Sequence, residues 1–352
     1  MKFFTRVLAF LFIVCAPLSA SAHEVYVLTQ GEIAKGLSTP AFSLWGTLMA
    51  NLDDFVFWAF IGVLIVFIVF FAGVSRMFER WLDPLLAKLP PYAPLVGRVT
   101  IGLSFLAAAY YQALFGPELP LAATFGAFAP AVTTALVIIG LMIIVGFYAR
   151  VAALVALALF AYETAAHGWY MLTYANYFGE IILILILGAH KFAIHHKEHD
   201  TQRAPRWFLT VKRTLTPLAF PLLRLAFGIS LLYASLYAKF LHDVLALQVA
   251  SLSLAGHMES LATALGFEPH FLVLGAGIVE IVIALFFILG IEIRFTALFL
   301  EFWLTLSLIY FGEIVWPHLI LIGIPISFFF YGYDTYSLEG FFFKKKGREP
   351  VL

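Results

Sequence analysis

Lys239, Glu280, Glu313 and His318 interrupt long apolar runs, with Tyr233, Tyr237 and Tyr310 near them in the sequence. A lysine and a histidine donate hydrogen bonds, a carboxylate accepts a proton, and an imidazole titrates near neutrality. Brought together inside a membrane, Lys239 and His318 would hold a polar head group and Glu280 would accept its proton. The ligand expected is a quinone or a small polar molecule, with the three tyrosines lining the site. The same groups could equally pair with one another simply to fasten helices. Ionisable residues in a span cost roughly 2.5–3.5 kcal/mol each and therefore face a partner or a cavity. Arg224 and Glu301, about 12 Å and 9 Å from the inner ends of their helices at 1.5 Å per residue, are expected to form a structural ion pair.

The elements that must position these residues are helices in lipid. The chain has 352 residues, 63% hydrophobic and 12% charged, with a mean hydropathy of +0.98. A soluble domain is roughly 45–50% apolar, so the composition is that of an all-α polytopic membrane protein. The opening stretch "MKFFTRVLAFLFIVCAPLSASA" has two positive charges, an apolar core and Ala20-Ser21-Ala22, the pattern of a cleavable signal peptide over residues 1–22. Cys15 is the only cysteine, so cleavage would leave none. That excludes thiolate nucleophiles and cysteine-ligated clusters, and a redox role then needs a bound cofactor, a quinone or a partner protein.

Nine apolar segments follow, near Phe55–Val74, Val99–Phe115, Val132–Tyr148, Val151–His167, Tyr177–Gly188, Leu218–Leu241, Phe271–Ile293, Phe295–Phe311 and Ile314–Tyr331. Basic residues from Arg76 to Arg98, Arg150, Lys191 to Arg213, Arg294 and Lys344 to Arg348 fall on alternate loops, whereas the other loops hold only Lys35. The positive-inside rule then places the N-terminus outside and the C-terminus in the cytoplasm of the inner membrane. "FFFKKKG" reads as an aromatic anchor and a basic tail, in contact with membrane lipids.

Two four-helix units are expected to run parallel, after one extra N-terminal helix. "GRVTIGLSFLAAAYYQALF" parallels "LRLAFGISLLYASLYAKFL", pairing Arg98 with Arg224, and "IIGLMIIVGFYARVAAL" parallels "VIALFFILGIEIRFTAL", pairing Gly146 with Gly290 and Arg150 with Arg294. The tetrapeptide "YFGE", at Tyr177 and again at Tyr310, is expected to open the last helix of each unit. The organisation expected is 23–90 for an outer segment and first helix, 91–190 for the first unit, 191–215 for a basic linker, 216–335 for the second unit and 336–352 for a cytoplasmic tail.

At "RLAFGISLLYASLYAK" and "EIVIALFFILGIEIR" the second unit resembles the DoxX family of small four-helix membrane proteins, through Arg224, Gly228, Lys239, Glu280, Gly290 and Arg294. The first unit keeps Arg98, Gly102, Gly146 and Arg150 but has Ala113 and Leu136 in place of the lysine and glutamate, as a degenerate copy would. Some members of that family are linked to thiosulfate and quinone oxidoreduction. The resemblance therefore implies a membrane subunit of a quinone- or sulfur-linked redox system, with a soluble or membrane redox partner. A small-solute transporter and a non-catalytic scaffold are the alternatives.

The first unit offers Gln112, Glu163, His167 and Glu180, a thinner polar set. The histidines of "HKFAIHHKEH" lack a carboxylate or cysteine set to complete a metal site, and metal binding at His23 is a weak alternative, so no metal centre is expected. "VLALQVASLSLAGHMESLATALGF" is expected to return as an interfacial or re-entrant helix, with His257 and Glu259 in it. No phosphate-binding loop, dinucleotide fingerprint or serine nucleophile motif occurs, and nothing supports nucleic-acid binding.

Overall fold

A computed structural model of the chain describes residues 48–49, 51–189, 193, 206–251, 269–311, 316–334 and 336–342. These residues are all-helical. The longer helices are α1 (Phe55–Leu86), α2 (Ala93–Tyr111), α3 (Ala129–Val145), α4 (Ala149–His167), α5 (Ala175–Leu187), α6 (Arg206–Leu215), α7 (Ala219–Leu236), α8 (Asp243–Ser251), α9 (Pro269–Leu289), α10 (Ile293–Phe311) and α11 (His318–Tyr331). The expected signal peptide, His23, the linker histidines, His257 and Glu259 lie outside the described residues.

The protein is a multi-pass membrane protein, with six candidate spans among the described residues and not the nine expected. Phe55–Ser75, Pro90–Tyr111, Leu121–Val145, Ala149–Leu187, Thr210–Leu241 and His270–Leu289 are long and apolar enough to cross a bilayer. The difference arises because an apolar run in a sequence does not show where the chain turns. The segments Val151–His167 and Tyr177–Gly188 fall within one continuous stretch, as α4 and α5 joined by 3-10 turns over Gly168–Tyr174. With 13 and 14 residues, α5 and α11 are about 20 Å long, short of the roughly 30 Å of hydrocarbon. The segment Phe295–Phe311 became α10, which carries Arg294 and Glu301 and is not among the six.

The motifs paired in the sequence share backbone geometry. Gly146 and Gly290 stand 144 positions apart (290 minus 146), end α3 and α9, and adopt φ of +75° and +69°. The residues two positions on, Tyr148 and Glu292, both have φ of +45°. Phe147 N–H donates to Met142 O at 3.0 Å and Ile291 N–H to Phe286 O at 2.9 Å, closing the same left-handed cap in both units. The contact of the first helix on the second repeats as well. A Cβ at Gly102 would meet Ile144 at 2.5 Å and Gly140 O at 2.9 Å, and one at Gly228 would meet Ile288 at 2.7 Å and Ala284 O at 3.0 Å.

The two units meet through α5 against α7 and through α11 against α2. These contacts are equivalent. Gly179 lies against Ala226 and Leu223, with a Cβ placed there 2.8 Å from the Ala226 side chain, and Gly323 lies against Thr100. Gly179 and Gly323 are 144 apart, and Thr100 and Ala226 are 126 apart, the offset already set by Arg98 and Arg224. Helix–helix contact in lipid is driven by close packing, so small residues sit where the backbones approach. The expected pairing of the two "YFGE" stretches does not hold: the first lies inside α5, whereas Tyr310 and Phe311 end α10 and the rest lies outside the described residues. A repeated tetrapeptide matched by identity, with an offset of 133 (310 minus 177), was a coincidence of composition.

Four arginines gather at one end of the bundle. Arg98 donates to Ala189 O, Arg150 to Leu185 O and Ile186 O at 3.1 and 3.3 Å, Arg224 to Phe287 O and Ile288 O, and Arg294 to Phe329 O at 3.1 Å. The last carbonyls of a helix have no intrahelical donor, and a guanidinium satisfies them while opposing the negative end of the helix dipole. These four arginines therefore close helix ends.

The chain after α11 folds back onto this arginine end instead of leaving as a tail. Asp334, Ser337 and Glu339 are all buried. The Glu339 carboxylate accepts the Ile293 N–H at 3.0 Å at the start of α10, and Glu339 N–H donates to Gly290 O. The expected tail therefore begins after a packed helical turn, Leu338–Phe342.

Candidate functional site

Opposite the arginine end, α7 runs into a π-helical turn over Tyr237–Leu241 that carries Lys239. Such turns insert an extra residue into a helix and frequently occur at functional sites. Lys239 Nζ donates to Glu280 Oε2, on α9, at 2.7 Å, and both side chains are 17% exposed. A charge-assisted bond of this length in an apolar setting is strong, and it neutralises two charges that lipid would reject separately. Gly277, one turn before Glu280, leaves room for the lysine: a Cβ there would lie 3.5 Å from Lys239 Cδ and 2.8 Å from the Phe240 ring.

Tyrosines line the approach. Tyr233 and Tyr237 stack with centroids 6.0 Å apart, Tyr237 lies 4.5 Å from the His242 ring, and Tyr170 of the first unit meets Tyr237 edge-on at 5.4 Å. Of the residues expected at this site, the structure joins Lys239 to Glu280 and places Tyr233 and Tyr237 beside that turn. His318 is buried at the first position of α11. Glu313 lies outside the described residues, and Tyr310 is placed only as a residue of α10.

The expected ion pair between Arg224 and Glu301 is not formed. Arg224 Nε donates instead to Asp334 Oδ2 at 2.9 Å, with side-chain exposures of 3% and 4%, and its other nitrogens hold Phe287 O, Ile288 O and Tyr336 O. Helical depth had suggested Glu301. Asp334, arriving from the folded-back chain end, saturates the guanidinium first.

The first unit holds a second polar network that sequence reasoning underrated. Tyr170 donates to Glu118 Oε1 at 2.9 Å, and Tyr174 donates to the same oxygen. The Tyr177 hydroxyl pairs with Ser104 Oγ at 2.6 Å, and Thr100 Oγ1 donates to Glu180 at 3.5 Å. Glu163 is fully buried on α4 and lies 2.9 Å from His167 Nδ1. Glu118, Ser104, Thr100 and Asp334 were not singled out from the sequence. The available signal was positional: Thr100 and Ser104 are one turn apart on α2, and Tyr170, Tyr174 and Tyr177 follow i, i+4, i+7 spacing.

Between α1 and the second unit runs a narrow, apolar, open-sided cleft, lined among others by Phe67, Phe71, Val279, Phe286, Phe295 and Phe299. Rings of α1 and α10 meet across it, Phe67 with Phe299 at 5.2 Å and Phe71 with Phe295 at 6.1 Å. Among the described residues, no group of three or more histidine, cysteine or acidic side chains could hold a metal ion. No family model, curated protein or solved structure matches the chain.

Proposed function

We propose that the protein is an inner-membrane subunit of a redox system that binds a quinone at Lys239 and Glu280. The observation that carries this reading is the 2.7 Å pair itself, half-way down α9, with both partners still 17% exposed. A lysine ammonium there donates to a quinone carbonyl, and the neighbouring carboxylate accepts or returns the proton that a quinone exchanges when its redox state changes. A separate apolar cleft alongside α1, lined on α9 by Val279 and Phe286, offers a surface for an isoprenoid tail. Tyr233 and Tyr237 offer a stacking wall for the head group.

This chain has one cysteine, inside the expected signal peptide, so electrons would come from a partner protein. The resemblance to the DoxX family supports the same reading. The test is a titration of the purified, lipid-reconstituted protein with a short-chain ubiquinone, followed by quenching of tryptophan fluorescence. Saturable quenching that disappears in both Glu280→Ala and Lys239→Ala, with helical content unchanged, is the expected result. Absence of saturable binding to the unmodified protein sinks the reading. Proteoliposome flux of small solutes without quinone binding would put a transporter in its place.

A further inference from the structure

Away from Lys239 and Glu280, one carboxylate is sealed at the interface between the two units. Glu180 is 0% exposed, its Oε2 has no hydrogen-bond partner, and its Oε1 receives only the long 3.5 Å contact from Thr100. Gly97 on α2 makes the space it fills: a Cβ at that position would stand 3.1 Å from Oε1. The groups brought near it from each packed element do not neutralise it. From α2 come Thr100, whose single hydroxyl proton has Val96 O and Gly97 O closer, at 3.1 Å, than the carboxylate, and Arg98, whose guanidinium is turned to Ala189 O. From α11 comes Ser327, which donates to Ala93 O, and from α7 come Leu223 and Ala226 against Gly179. On α4, Glu163 lies beside His167 and Arg150 holds the carbonyls of Leu185 and Ile186. Tyr177, on the same helix, is bonded to Ser104. Among the described residues, no ion pair includes Glu180.

We propose that Glu180 is a proton-binding site buried between the two units, exchanging its proton with the Glu118 end along Tyr174, Tyr177 and Ser104. A carboxylate anion with no cation, fully buried in a helix interface of a membrane protein, is among the costliest arrangements a protein can hold, whereas the neutral acid needs only one acceptor. The route is built from groups that both donate and accept. Tyr170 and Tyr174 hydroxyls meet at Glu118, which is partly exposed. The Tyr174 and Tyr177 rings lie 6.0 Å apart, and Tyr177 reaches Ser104 at 2.6 Å. The last step, from Tyr177 and Ser104 to Glu180 and Thr100, is one helical turn on both α5 and α2, about 5–6 Å between Cβ atoms. When the proton leaves, the Glu180 O–H bond breaks, the hydroxyls of Ser104, Tyr177 and Tyr174 each take up one proton as they release another, and the Glu118 carboxylate takes the last; the carboxylate left at Glu180 weakens the packing of α5 on α2 until a proton returns. The site is independent of Lys239 and Glu280, and it lies in the unit that lacks the lysine.

The experiment is infrared spectroscopy of the full-length protein in liposomes during transfer from H2O to D2O. The expected result is a carbonyl stretch of a buried carboxylic acid that is lost in Glu180→Gln, retained in Glu163→Gln and displaced in frequency in Glu180→Asp. Its downshift in D2O should be an order of magnitude slower in Tyr177→Phe. The Asp variant serves if the Gln variant does not fold. A spectrum unchanged by both Glu180 substitutions overturns the proposal, as does a band that never shifts in D2O. An exchange rate unaffected by Tyr177→Phe overturns the route.

Discussion

Arg224 Nε lies 2.9 Å from Asp334 Oδ2, and the side chains are 3% and 4% exposed, which ties the end of the chain to the first helix of the second unit. Removing one member of a buried pair leaves the other as an uncompensated charge, at roughly 3–5 kcal/mol. Asp334→Ala should therefore lower the thermal midpoint of the detergent-solubilised protein strongly, whereas Glu301→Ala should have a much smaller effect. Equal losses in the two variants would return Glu301 to the pairing.

The contact between units rests on two glycines. Gly179→Val and Gly323→Val both place new methyl groups against helix α7 or α2, where a Cβ at Gly323 would already stand 2.5 Å from Thr100 Cγ2. Overpacking of this kind costs about 1–3 kcal/mol, and the equivalence of the sites predicts similar losses. Gly62→Ala on α1, with nothing within 4 Å, is the control and should leave stability unchanged. Unfolding in a mild detergent with added sodium dodecyl sulfate reads the difference; a large loss at only one of the two interface sites would contradict the two-fold arrangement.

Gly290 combines a φ of +69° with close neighbours, Arg224 Nη1 standing 2.9 Å from where a Cβ would be. Gly290→Ala should cost more than about 1 kcal/mol from backbone strain alone. Gly275→Ala, which would make only ordinary contacts at 3.6 and 3.8 Å with Phe60, should cost far less. Parallel melting curves of the two variants decide it, and matching midpoints would mean that the α9–α10 turn tolerates a side chain.

For Lys239 and Glu280, the double variant Lys239→Met with Glu280→Leu should fold at least as well as either single variant, because apolar replacement removes both desolvated charges together. It should nonetheless fail to quench with ubiquinone. Ubiquinone binding retained in the double variant would assign the pair a purely structural role.

The sequence by itself determined what local composition can carry. The excess of apolar residues makes the chain a membrane protein, and the paired motifs around Gly146 and Gly290, and around Arg150 and Arg294, carry matching helix caps 144 positions apart. Lys239 and Glu280 were also legible, because a lysine and a glutamate in apolar helices must find partners. Only tertiary structure decided the remainder. The partner of Arg224 depends on how the chain folds back after α11, and the number of long spans depends on where an apolar run turns. The burial of Glu180 depends on the close approach of α2 at Gly97. Each of these is a contact between segments distant in the chain, set by packing in three dimensions, which hydropathy and helical depth do not encode.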